Sequence, residues 1–355
     1  MDNFEPFVSV IIPTRNEEKY IGTCLDSFVN QTYPKSRYEV LVVDGLSTDN
    51  TVDIVRSFEG KLNLRIMKNP EVKQVFALNC GIKDAKGDYF VIISGHSFVE
   101  RDFLEKSFKA FCEIKKKEPK LAAVGGSLKM VCENRFSNLV SSLYASPLSG
   151  SSSFWYANNP GFAKTVVFGF YEKKIIESIN GFDEDMGRGE DFEINLRLNK
   201  NGYKLFYDPK IKTCYYVRNT LSGFTRQTFG NGAAKGVCLK KGYFNPVWFV
   251  PSIFVIYQLL LPIGLFVMNF WSIIFWGPLV VYWVANIIAS IKIKDREKAN
   301  LFLPLMFWIL HVLVGFGFFY GILFGKNSAA PNSNSKLPAL EILKMGSCFT
   351  LRKCQ

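Results

Sequence analysis

The sequence predicts an α/β protein: a mostly parallel, doubly wound sheet followed by a helical membrane region. Two observations carry this. Through the first 245 residues, short β-branched runs alternate with helically spaced segments and Gly/Asn/Asp turns, the signature of βα units. Beyond them, no Asp, Glu, Lys or Arg occurs from Pro246 to Ile291 or from Ala299 to Gly325. A bilayer core asks about 20 apolar residues of a helix.

The elements follow in order. "FVSVIIP" (Phe7–Pro13) is a buried parallel strand ending at a proline. Ile21, Leu25 and Phe28 give the next segment helical spacing. "YEVLVVDG" (Tyr38–Gly45) is a second strand, and Ser47-Thr48-Asp49 supplies cap chemistry for the helix after it. "NLRIMKN" is a third strand, Ala77–Ala85 a helix and "DYFVIIS" a fourth strand. "AAVGGSLKM" is a further strand, and the Ser-rich stretch 137–153 a loop with a short helix. The remainder is expected to give a strand, a helix over Lys173–Ile179, an acidic loop, a helix and a short strand. Phe192, Ile194, Leu196 and Leu198 alternate like a strand, but the acidic start and the Asn201-Gly202 stop favour a helix.

Ligands of doubly wound sheets sit beyond the carboxyl ends of the strands. Polar clusters fall there at Thr14–Glu17, Asp44–Asp49, Lys68–Lys73 and Ser94–Ser97. Neither a Gly-x-Gly-x-x-Gly turn after the first strand nor a Walker lysine loop is present, which argues against dinucleotide and P-loop sites.

The apolar runs predict three spans, about Val247–Met268, Phe270–Ile291 and Asn300–Phe324. With no signal peptide in "MDNFEP", the first 245 residues are expected in the cytoplasm of a multi-pass plasma-membrane protein. The basic loop "KIKDREK" (Lys292–Lys298) is expected there as well. Three spans would leave the tail from Lys326 outside, against its own Lys and Arg residues, so one segment is a candidate for a re-entrant or interfacial helix. His311 is read as a hydrogen-bonder between packed helices. The net charge of +12 fits an anionic leaflet, and with no aromatic-and-basic recognition motif no nucleic-acid partner is expected. Eight cysteines without Cys-x-x-Cys spacing are read as reduced thiols, mostly in the core.

Five ordered segments carry a resemblance: "VSVIIPTRNEEKYI", "EVLVVDGLSTDNT", "ALNCGIKDAKGDYF", "GFDEDMGRGEDFEINLRL" and "FTRQTFGNGAAKG". Over about Phe7 to Gly242 the chain resembles the inverting family 2 glycosyltransferases with a GT-A fold. In "VVDGLSTD" and "ALNCGI" it is most similar to the succinoglycan-biosynthesis type of glucosyltransferase. The resemblance implies a nucleotide-sugar-binding half over 1–120, an acceptor and catalytic half over 121–245, membrane helices over 246–325 and a polar tail over 326–355. It further implies a nucleotide-sugar donor, expected to be UDP-linked, a polyprenyl-linked saccharide acceptor and contact with membrane lipid.

The roles transfer residue by residue. Asp44 falls where the family accepts hydrogen bonds from the base or ribose, with turn chemistry as the alternative. Pro13, Thr14, Arg15 and Glu17 line the same pocket, while Asp49 reads as a cap. Inverting transfer needs a base for the acceptor hydroxyl's proton. The resemblance places it at Asp191, supported by Glu190, where acids would otherwise only complement the helix dipole. Arg226 and Gln227 stand where membrane synthases carry Gln-x-x-Arg-Trp. That signature is absent, which disfavours a processive synthase. Arg226 either neutralises the leaving diphosphate or is a surface charge. The family's fourth strand ends in Asp-x-Asp, which holds ribose and a divalent ion. Here Ser94 and His96 replace it, and the succinoglycan type itself reads Asp-Ala-His. His96 is thus the expected metal contact, with Mn²⁺ suiting imidazole better than Mg²⁺. Asp102 is read as a helix cap. A degenerate, non-catalytic relative that binds nucleotide or glycan is the alternative that Ser94 motivates.

Overall fold

The computed structural model describes residues 6–150, 158–266, 271–293 and 301–325. The tail 326–355 and most of the basic loop lie outside these residues. Four parallel strands form one half of the sheet: β1 (Val8–Thr14), β2 (Tyr38–Asp44), β3 (Leu64–Lys68) and β4 (Tyr89–Ile92). Their helices are α1 (Ile21–Val29), α2 (Thr51–Arg56) and α3 (Gln74–Asp84). β1 and β2 are buried almost throughout, as continuous apolar runs in a two-sided sheet must be.

The other half contains β5 (Ser97–Val99), β6 (Leu121–Val131), β7 (Gly161–Ala163), β8 (Phe170–Glu172) and β9 (Lys204–Tyr216). The order is β3-β2-β1-β4-β8-β6-β9-β5, with β7 also on β9. The sheet is therefore mixed: β8 runs antiparallel to β4 and β6, and β5 and β7 run antiparallel to β9. It crosses residue 120 without a break, and both large apolar clusters draw side chains from either side of that point.

Helices α4 (Phe103–Lys117), α5 (Arg135–Ala145), α6 (Lys173–Ser178), α7 (Glu190–Lys200) and α8 (Leu221–Lys240) complete the domain. The short helix expected in the Ser-rich stretch is the 11-residue α5, which starts at Arg135 because Asn134 and Ser137 make a reciprocal capping box. Residues 151–153 of that stretch are not among the described ones. The alternating segment is the helix α7: Ile194 and Leu198 enter the core, and Glu193 and Arg197 between them form a buried ion pair at 2.9 Å. The short final strand is the 13-residue β9. Asp102 precedes α4 but donates no cap; its carboxylate pairs with Lys106 at 2.8 Å. Asp49 caps α2 from one residue further back, accepting from the Thr51 amide at 3.1 Å and from its hydroxyl. Cys24, Cys214 and Cys238 are buried free thiols, whereas Cys80 is disulfide-bonded, a departure from the expected reduced set.

Three apolar stretches are long enough to cross a membrane: Pro246–Gly264, Ile273–Ile291 and Leu303–Phe324. They hold α9 (Val250–Leu260), α10 (Trp271–Ile291) and α11 (Leu303–Phe324). His311, in α11, links Tyr282 Oη at 2.8 Å to the Leu148 carbonyl at 2.9 Å, as a helix-packing residue should.

Candidate active site

The carboxyl ends of β1, β2 and β4 lie side by side and bring their polar residues together. Asp44 closes β2; its carboxylate accepts from the Ser47 amide at 3.1 Å and the Ser47 hydroxyl at 2.5 Å. Asp44 thus makes the turn contacts of one reading while standing at the strand end required by the other. Pro13 and Thr14 end β1 opposite Val43 and Asp44. Arg15 is exposed just beyond, and a Cβ on Gly45 would lie 3.6 Å from its side chain.

The stretch Ser94–His96 leaves β4 two residues after its last paired residue. Gly95 lies close against this cluster: a Cβ there would come within 3.1 Å of Glu17 Cγ, a tight approach, and 3.5 Å of Thr14 Oγ1, an ordinary one. Glu17 in turn holds His96, Nδ1 to Oε1 2.6 Å, and the Ser94 hydroxyl is 2.9 Å from the same nitrogen. Ser94, His96 and Glu17, up to 79 residues apart, therefore form one hydrogen-bonded cluster, with Glu17 in contact with the ring rather than only lining the pocket. Both partners are mostly buried.

This donor set bears on a metal. Among the described residues no three His, Cys, Asp or Glu side chains converge. The cluster is too poor to cage an ion. It fits an ion that takes its remaining ligands from diphosphate oxygens and water, and an imidazole nitrogen favours Mn²⁺ over Mg²⁺.

Glu190 and Asp191 open α7 behind Gly189, whose φ of +78° only glycine adopts cheaply. The preceding acidic loop is fixed at its start. Asn79 of α3 donates to the Phe182 carbonyl at 2.9 Å, and Lys241 pairs with Asp183. Asp191 is solvent-accessible and Glu190 partly so. Desolvation, then the charge of Asp191, pushes Glu190 up to about 7. Desolvation also raises Asp191, while the Phe192 amide and Arg188 pull the other way. The protons belong to the pair rather than to either acid.

Two routes lead from the pair toward β4 and His96. Tyr171 of β8, whose phenol is held up by burial and by the charge of Asp191, stacks on Phe90 of β4 at 5.4 Å. Arg188 donates to Asn231 of α8 at 3.2 Å; one turn earlier Gln227 reaches Tyr215 Oη at 3.4 Å, and the Tyr215 ring lies 5.1 Å from that of His96. Arg226 is exposed on α8, one turn before Gly230, whose α-carbon faces the Arg188 stem. Arg188, Tyr215 and Asn231 were not singled out in the sequence. Only the wording "GRGED" placed Arg188 next to the acidic pair.

A sheet that carries such a polar cluster at its parallel carboxyl ends, and a paired-acid helix start on its mixed half, defines the GT-A class of glycosyltransferase. The description Glycosyl transferase family 2 matches residues 9–136. A Methanococcus voltae protein named dolichyl N-acetyl-alpha-D-glucosaminyl phosphate 3-beta-D-2,3-diacetamido-2,3-dideoxy-beta-D-glucuronosyltransferase is 44% identical over 329 residues, 91% of this chain and 99% of that protein. The chain belongs to glycosyl transferase family 2. Glycosyltransferase AglE of Haloferax volcanii is 29% identical over 60% of this chain and 68% of its own. Among solved structures, the mannosyltransferase PcManGT of Pyrobaculum calidifontis, in complex with GDP-Man and Mn²⁺, matches with TM-score 0.58 at 20% identity, over 91% of this chain and 89% of that one. That likeness concerns the fold. Nothing in these relatives singles out the succinoglycan type, which stays a resemblance of wording.

Proposed function

We propose that this glycosyltransferase moves a sugar, with inversion, from a UDP-linked donor to a polyprenyl-linked saccharide at the cytoplasmic face of the plasma membrane. The observation that carries the reading is the Glu190–Asp191 pair: two adjacent carboxyls raised by desolvation, one of them open to solvent. The acceptor class is supported by the relative from Methanococcus voltae, whose name specifies a dolichyl-linked substrate.

The first 120 residues take the nucleotide sugar and residues 121–245 the acceptor. Asp44 accepts from the nucleoside, its orientation set by Ser47, and Pro13, Thr14 and Arg15 line the pocket. Ser94 and His96 face the diphosphate, and Glu17 fixes the ring by holding Nδ1. A divalent ion held by His96, Mn²⁺ in preference to Mg²⁺, would supply Lewis-acid stabilisation of the departing diphosphate. Arg226 adds a fixed positive charge on the same side. Asp191 removes the proton from the acceptor hydroxyl as it attacks the anomeric carbon from the far face. Glu190 beside it supports the base, whose affinity for that proton is kept high by desolvation, as general-base work near neutral pH requires. Arg188 limits that rise and ties the pair to α8.

The test is transfer of labelled sugar from a panel of UDP- and GDP-sugars into native lipid extract, with Mn²⁺, Mg²⁺ or chelator. Transfer from a UDP-sugar that depends on Mn²⁺ is the expected result. Nucleotide binding without transfer from any donor would replace the reading by the non-catalytic one that Ser94 motivates.

A further inference from the structure

We infer that α11, although apolar enough to cross a membrane, is a helix of the catalytic domain, and that the chain after it lies on the same side of the bilayer as the active site. The inference rests on membrane association and is independent of the transferase chemistry.

The first ground is what α11 lies against. It runs alongside α8 in backbone-to-backbone contact: a Cβ on Gly232 would strike the Val314 carbonyl, one on Gly236 the Phe318 carbonyl, and one on Gly321 the Ala233 carbonyl. At its start, Leu303, Phe307 and Leu310 pack with Val217 and Phe224 of the domain. At its end, Lys240 Nζ donates to the Gly325 carbonyl at 2.6 Å. A crossing helix must separate its ends by about 30 Å of hydrocarbon. Here one domain helix accompanies α11 from end to end. That helix is anchored in the active site through Asn231–Arg188 and Gln227–Tyr215, and it carries Arg226, Lys235 and Lys240. Taking α11 across the bilayer would bring those cations, and one side of the active site, into hydrocarbon, where each charge is costly.

The second ground is that the apolarity of α11 has another explanation. A helix apolar on all sides is either in a membrane or in a core. The middle of α11 is covered by protein on most of its girth, with Phe316 left exposed: Ser252 Oγ of α9 donates to the Gly315 carbonyl at 3.4 Å, Tyr282 of α10 meets His311, and His311 reaches Leu148 beyond α5.

The anchor is then the α9–α10 hairpin. Tyr257 Oη donates to the Phe275 carbonyl at 2.5 Å and Phe254 packs on Tyr282 at 4.4 Å, so the two helices run antiparallel. They present Val250, Ile253, Leu259, Val280, Val281 and Ile291 outward. A hairpin enters and leaves the bilayer on one side. Charge agrees: the tail has Lys326, Lys336, Lys344, Arg352 and Lys353 against the single acid Glu341, and one side now holds both it and the basic loop Lys292–Lys298.

The test uses the full chain with different epitope tags at its two ends, in sealed inverted and right-side-out membrane vesicles treated with protease. Both tags should be digested together in one vesicle type and protected together in the other. A second measurement fuses either a fluorescent protein or alkaline phosphatase to the C-terminus; fluorescence without phosphatase activity is expected for a tail on the cytoplasmic side. One tag cut while the other is protected would overturn the inference and restore an odd number of crossings. Full release by alkaline carbonate would overturn the hairpin anchor, an outcome separable from the first because neither tag would then be vesicle-protected.

Discussion

Replacing Glu190 by Gln removes a carboxyl whose ionisation the folded protein resists, first through desolvation and then through the charge of Asp191. Its pKa moves from 4.5 to about 7 on folding. The sign follows directly. Between these values the folded state holds the proton more tightly than the unfolded chain, so stability falls as pH rises from about 4.5 to 7 and is level above. At 1.36 kcal/mol per unit, the loss approaches about 3 kcal/mol as an upper bound. Glu190→Gln escapes it. Urea unfolding should therefore show the variant gaining stability over the parent at pH 8 by ~1–3 kcal/mol, with the gain gone at pH 4.5. Equal stability differences at both pH values would refute the raised pKa and the desolvation argument with it.

Three further outcomes follow from named contacts. Arg188→Ala removes the cation that opposes the rise of both acids, so the acid limb of the pH–rate profile should shift to higher pH. Arg65 closes the partner set of the fully buried Glu39, at 2.9 Å, beside Ser9 and the Lys86 amide. Arg65→Ala should therefore cost about 3 kcal/mol in denaturant unfolding, because it leaves a buried charge underpaired. Gly236→Leu drives a side chain into the Phe318 carbonyl; a loss of about 2 kcal/mol or more, read as a lower Tm, is expected from overpacking.

The parts legible in the sequence were those with local physical causes. β1 and β2 announce themselves because strands buried on both faces must be continuously apolar, and α7 because its acids and Asn201-Gly202 bracket it. β5 and β7 were not legible. Each is three residues long and exists only by pairing antiparallel with β9, more than 40 residues away in sequence. A short helix was legible in the Ser-rich stretch, but not its start at Arg135, which the Asn134–Ser137 cap geometry sets. In the site, Asp44, Ser94 and His96 were found by their place at strand ends, a position the fold guarantees. The Glu17–His96 bond, the route from His96 through Tyr215 and Gln227, and Arg188 above the acid pair were not found. They arise between elements, and no spacing rule records them.

The central claim is that Asp191 is the base of an intact transferase. It is tested most directly by Asp191→Asn, comparing UDP-sugar binding with sugar transfer to native lipid acceptor on the same preparation. Binding should stay within a few-fold of the parent while transfer falls by ~10²-fold or more, the scale of a lost general base. Transfer at the parent rate in Asp191→Asn would contradict the account.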